Sequence, residues 1–159
     1  MPLLVMLLSA LIVFIDQLIK YFVASGLRHI GTIEVIPGIF SLTYVENKGA
    51  AFGMMSNMRW VFIVFTLAVI AALIVIVFRN KIDSKLFKAS AILLIGGGIG
   101  NLIDRILFGY VIDYLSLSFF PPVCNFADYC ITAGTILLII YIIFYSSFLK
   151  DNKKVKNNE

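Results

Sequence analysis

Residues 96–105 read GGGIGNLIDR, residues 111–114 read VIDY and residues 125–128 read NFAD. The first block closes one long apolar run and the last opens another. Residues 96–128 hold three carboxylates (Asp104, Asp113, Asp128), two asparagines (Asn101, Asn125) and Arg105. An ionisable side chain at membrane depth is costly, about 3 kcal/mol or more, and is read first as functional.

Outward from this stretch the chain resembles hydrocarbon. Of its 159 residues 61% are hydrophobic and 14% charged, against roughly 45–50% and about 25% in soluble domains. A soluble globular class is excluded. A spanning helix needs about 20 largely apolar residues, and four stretches qualify: 3–22, 60–78, 86–107 and 126–148. The first lacks a basic leader, and Asp16, Gln17 and Lys20 stand where a cleavage site would need small residues. It is read as a retained span.

The net charge of +4 does not point to nucleic acid, because the basic residues flank the apolar runs. Arg79, Lys81, Lys85 and Lys88 join spans two and three, and Lys150, Lys153, Lys154 and Lys156 follow span four. The positive-inside rule makes both segments cytoplasmic, together with both termini. Cys124 and Cys130 lack metal-site spacing and His29 is the single histidine, so no metal or other cofactor is expected.

Residues 23–59 and 108–125 form the two outer connections. In the first, Phe40, Leu42 and Tyr44 alternate with Ser41 and Thr43, the period of a half-buried strand. Pro37-Gly38 marks a turn between 32–36 and 40–46, which predicts a hairpin. NKGAAFG at 47–53 suits a loop dipping into the interface, and the basic, Asn-rich tail 150–159 is expected to be disordered. The fold expected is an all-α membrane protein. It is one domain, 1–159: a four-transmembrane-helix antiparallel bundle with a small extracytoplasmic β-hairpin or sheet and a loop over the site.

In such a bundle the ends of odd spans and the starts of even spans share the outer face. Asp16, Gln17 and Lys20 therefore meet Asn101, Asp104, Arg105, Asn125 and Asp128 there. Asp16 and Lys20 stand at i, i+4, as do Asn101 and Arg105. Gly96, Gly97, Gly98 and Gly100 leave one side of span three bare, which suits a neighbouring helix or an extended substrate equally well. Plain structural readings stand beside these. Lys20 and Arg59 are candidate interfacial anchors, Asp16–Lys20 and Asp104 with Arg105 or another cation candidate ion pairs, and Asp128 a candidate helix cap. Asp113 resists such a reading, since a charge in the apolar stretch GYVIDYLSL has no structural task.

The inventory lacks a Ser–His–Asp set, a Cys–His pair and a phosphate-binding loop. Carboxylates in a partly dehydrated site remain. Two that share a site cannot both ionise easily, so they can divide acid and base roles on water and an amide. The same groups would suit a proton-coupled transporter, but that reading needs a polar path to both faces, and spans two and four offer almost none in their cytoplasmic halves.

DQLIK at 16–20, NKGAAFG at 47–53, GGGIGNLIDR, VIDY and NFAD occur in this order, and together the chain resembles the bacterial lipoprotein signal peptidases, intramembrane aspartyl proteases of the signal peptidase II family. The resemblance implies hydrolysis of prolipoproteins just before a diacylglyceryl-modified cysteine, in the bacterial cytoplasmic membrane, with the site near the outer face. It implies a catalytic pair at Asp113 and Asp128. Asp16, Lys20, Asn47, Asn101, Asp104, Arg105, Asn125 and Ala127 would support the pocket and bind substrate or the inhibitor globomycin, and the enzyme is expected as a monomer in membrane lipid. Gly98, Tyr114 and Cys124 depart from the family's usual Ala, Phe and bulkier apolar residue.

Overall fold

The computed structural model describes residues 2–49, 58–79 and 82–156, with backbone alone for 146–156. Four long helices make up the bundle: α1 (Pro2–Ile30), α2 (Arg59–Arg79), α3 (Lys85–Leu107) and α4 (Phe126–Lys156). Each contains a window long and apolar enough to cross a membrane. Large apolar side chains such as Phe14, Val64, Phe65 and Ile136 point outward, as a lipid-facing surface requires.

Helix α3 is the axis of the bundle. Of its apolar window 56% is buried, against 17–22% in the other three. The glycines explain how one helix touches three neighbours. A Cβ on Gly96 would stand 2.7 Å from Ile12 Cβ of α1, and one on Gly97 2.6 Å from the Ala127 carbonyl oxygen of α4. One on Gly98 would lie 3.2 Å from Ile70 Cδ1 of α2. The glycine run therefore serves close packing on three sides, and the helix-neighbour reading is the one realised. Ile95, Ile70, Leu73 and Val5 fill the space between these contacts.

The connections between α1 and α2 and between α3 and α4 build one antiparallel sheet in the order β1 (Thr32–Ile36), β2 (Phe40–Asn47), β3 (Val111–Leu117), β4 (Phe120–Cys124). The first hairpin lies where its sequence places it, with Gly38 at φ 67° in the turn. Residues 108–125, to which no strand was assigned from the sequence, form the second hairpin. VIDYLSL is rich in β-branched and aromatic residues, and Pro121 and Pro122 suit β4 to an edge, where missing N–H groups cost little. Strand β2 also departs from its expected alternation: all its residues are half-buried, because it lies between β1 and β3 and neither face is fully covered.

Two helix ends also differ from expectation. Helix α1 runs eight residues past position 22, continuing through Gly26 and ending at Gly31 with φ 87°. Buried Leu27 holds the extension, and Arg28 and His29 in its last turn favour the helix dipole. Helix α4 continues to Lys156, since residues 149–156 contain neither Pro nor Gly. The tail's disorder is thereby replaced by helical backbone up to that point. Residues 50–53 of the expected dipping loop, and Lys81 of the basic connection, lie outside the described residues.

Gly97→Ala and Gly98→Ala should separate on thermal unfolding in detergent. The added methyl at 97 meets backbone and should cost about 1–3 kcal/mol. At 98 it meets only the flexible end of Ile70, and the melting temperature should change little.

Candidate active site

The polar groups of α1, α3, β2, β3 and α4 meet in one layer where the bundle joins the sheet. Its base is an ammonium group. Lys20 Nζ lies 2.9 Å from Asp16 Oδ2 and 2.9 Å from Asp104 Oδ2, and it donates to Asn101 Oδ1 at 2.9 Å. Its three donors are thus matched to three acceptors. Lys20 is 2% exposed and both carboxylates are 0% exposed, so the anchor reading fails for this lysine. The cation paired with Asp104 is Lys20 and not Arg105.

The two carboxylates spend their other lone pairs on backbone. Asp16 Oδ1 accepts from the Ala127 N–H of α4 at 3.1 Å, and Asp104 Oδ2 accepts from the Ile112 N–H of β3 at 3.1 Å. The ion triad thereby grips both chain segments that carry Asp113 and Asp128. Ala127 is wholly buried, and its carbonyl lies against Gly97. A larger residue at 127 would push α4 away from α3.

Asparagines join this base to the remaining acids. Asn125 Nδ2 donates to Asp113 Oδ1 at 2.6 Å and to Asn101 Oδ1 at 3.0 Å. Asn101 Nδ2 donates to Asp128 Oδ1 at 2.8 Å. The Asn125 side-chain oxygen accepts from the Asp128 N–H at 3.0 Å, while Asp128 Oδ2 accepts from the Asn125 N–H at 3.1 Å. This reciprocal pair is a capping box on α4. The cap reading of Asp128 therefore holds, and the cap fixes the carboxylate while leaving it half-buried.

Asp113 is 2% exposed on β3. Its second oxygen accepts from Asn47 Nδ2 at 2.8 Å, across the β2–β3 ladder. Burial, reinforced by the nearby Asp128 charge, pushes its carboxyl up to about 7 from 3.8, against the hydrogen bonds from Asn47 and Asn125 and the Lys20 charge. A carboxyl so placed holds a proton near neutral pH, beside a second carboxylate held in a capping box. Arg105 supplies a guanidinium at the rim, stacked 5.1 Å over the Phe62 ring and reaching the Gly49 carbonyl at 3.4 Å.

All ten residues singled out from sequence meet in this layer, with Asp113 and Asp128 joined by Asn125. Two participants were assigned no role in the sequence. Gln17 Nε2 donates to Asp104 Oδ1 at 3.0 Å and to the Gly100 carbonyl at 3.1 Å. Its place beside Asp16 within an otherwise apolar span was the available signal. Tyr114 Oη accepts from the Phe126 N–H at 3.2 Å, so the hydroxyl that distinguishes it from Phe satisfies the first amide of α4. Such an arrangement can polarise a carbonyl with one carboxyl and deprotonate water with another.

The model of the family described as signal peptidase (SPase) II matches residues 8–144. A lipoprotein signal peptidase of Caldanaerobacter subterraneus subsp. tengcongensis is 45% identical over 135 residues, covering 85% of this chain and 92% of the relative. One from Clostridioides difficile is 39% identical over 143 residues, covering 89% and 95%. A solved structure, described as a bacterial membrane enzyme determined by the in meso method at 2.3 Å resolution, superposes with a TM-score of 0.80 at 32% identity, covering 90% of this chain and 89% of that one.

Removing the ammonium while keeping its volume should expose its structural weight. Lys20→Met leaves Asp16 and Asp104 buried without a cation, a loss of about 3–5 kcal/mol in comparable cases. A markedly lowered melting temperature in detergent is the expected result.

Proposed function

The chain belongs to the signal peptidase II family, and from that premise we propose that Asp113 and Asp128 are its catalytic pair. The protein is a multi-pass membrane peptidase that removes signal peptides from lipoprotein precursors. In the reading proposed here the bond cut precedes a diacylglyceryl-modified cysteine. The observation that supports the pair is the Asn125 amide, which ties the Asp113 carboxyl to the helix cap that Asp128 completes. No relative points to the transporter alternative.

One carboxyl, protonated, donates to the scissile carbonyl oxygen as the other takes a proton from water. The water oxygen bonds to the carbonyl carbon and gives a tetrahedral diol. The second acid then passes that proton to the departing nitrogen as the C–N bond breaks, and one hydroxyl of the diol returns its proton to the first acid, so that the product is a carboxylic acid. Because the two acids share the proton as a unit, the cycle returns them to their starting state. Arg105 and Asn47, on the open side, are assigned to the substrate backbone. Asp16, Lys20, Asn101, Asp104, Asn125 and Ala127 are assigned to the frame. The basic connections support an orientation with both termini in the cytoplasm and the site near the outer face of the bacterial cytoplasmic membrane. The enzyme is proposed to act as a monomer, with its substrate still in membrane lipid, and to be inhibited by globomycin.

Asp113→Asn and Asp128→Asn should each abolish cleavage of a lipidated prolipoprotein in liposomes while the helical circular dichroism is retained; full activity in either would remove the assignment. EDTA should leave the rate unchanged. The working form carries one proton, and Asp113 releases it near pH 7. Activity should therefore fall as pH rises through that value, approaching about tenfold per unit above it. A rate flat from pH 6 to 9 would contradict the shared proton.

A further inference from the structure

An apolar pocket of about 260 Å³ lies against Asp128, between the β3–β4 hairpin and the first turns of α4. Its walls are Leu117, Phe119 and Phe120 of the hairpin, Cys124, and Tyr129 and Thr132 of α4. The catalytic layer beside it is filled with amides, carboxylates and a lysine, whereas this pocket exposes almost no polar surface. It is smaller than the roughly 300 Å³ or more of sites that enclose a whole drug-sized ligand. Its size suits one chain segment of a larger molecule.

Three features indicate which segment. The pocket includes Asp128, so its occupant is attached within a few bonds of the group being hydrolysed. Its walls descend α4 from Asp128 to Thr132, about one helical turn into the span. Phe119, Phe120 and Tyr129 are 77%, 45% and 45% exposed, so the pocket has an open, apolar rim beside the first turns of α4 as well as its polar side at Asp128. A chain that stays in hydrocarbon can slide in from that side, parallel to the helix. A side chain of the peptide at the acid pair would have to arrive from the polar side.

Resting on the peptidase reading above, we infer that this pocket holds one acyl chain of the substrate's diacylglyceryl group. The chain exchanges one hydrocarbon setting for another, so transfer out of water does not drive its binding. Packing and alignment do. Seating the chain holds the modified cysteine, and with it the bond on its amino side, in register with Asp128. Cys124 makes room for it, because the thiol is small for a wall position and forms only a 3.8 Å contact with the Pro122 carbonyl. Substituting it leaves the strand pairing of Cys124 with Leu115 in place.

The test uses the full chain in vesicles and synthetic peptides carrying a diacylglyceryl cysteine with either two palmitoyl or two hexanoyl chains. Each is made with Ala or Leu before the cysteine. The pocket is filled from opposite walls by Cys124→Phe and by Thr132→Trp, with melting temperature measured for both. The expected result is a roughly tenfold fall in the preference for palmitoyl over hexanoyl peptides, read as a ratio of kcat/KM values and the same with Ala or Leu. An unchanged chain-length preference in a folded variant would overturn the assignment. So would a shift in the preference between Ala and Leu, which would give the pocket to a peptide side chain. If the unaltered enzyme cut none of the lipidated peptides, the peptidase reading itself would fall.

Discussion

A single buried ammonium group holds together the end of this bundle that meets the sheet. Lys20 is enclosed by Asp16, Asp104 and Asn101, and both carboxylates continue to backbone amides at Ala127 and Ile112. Burying such a group is unfavourable unless every donor and acceptor is matched, and here they are matched. The arrangement joins α1, α3, β3 and α4 at one point. Displacing any of these elements would leave a charge or an amide in hydrocarbon without a partner, so the geometry is held by the size of the penalty for leaving it.

The proposed catalytic acids are arranged differently. Asp113 and Asp128 are fixed mainly by amide side chains, which add dipoles but no net charge. Lys20 is turned towards Asp16 and Asp104, and reaches the pair only through Asn101. Had the lysine paired with Asp113 directly, that acid would have been driven towards full ionisation and the proton lost. Separating a charged foundation from an amide-lined reactive layer lets a rigid site retain a mobile proton.

Much of this could be read from the sequence, for reasons that differ by residue. The four spans were visible because twenty apolar residues in a row have few other uses, and the shared layer followed from alternating span direction. Asp113 stood out through lack of any structural task. The second hairpin was not read, because VIDYLSL has no strict alternation and its turn contains Ser118 and Phe119 instead of a Gly or Asn pair. The choice of Lys20 as partner of Asp104 was also out of reach, since Arg105 is adjacent in sequence and rotation about α3 decides between them. Gln17 was placed in this layer from the sequence, but its partners, Asp104 and the Gly100 carbonyl, were out of reach for the same reason.

The fourfold spacing of Asp16 and Lys20 has a consequence for how the protein is made. Asp104 is encoded 84 residues after Lys20 and Ala127 follows later still, so α1 enters the bilayer before its distant partners exist. Two opposite charges one turn apart on the same helix neutralise each other locally, with Nζ and Oδ2 only 2.9 Å apart. The first helix thus holds its own counterion as a temporary pair. When α3 and α4 arrive, that pair is extended into the triad without ever having presented an isolated charge to lipid.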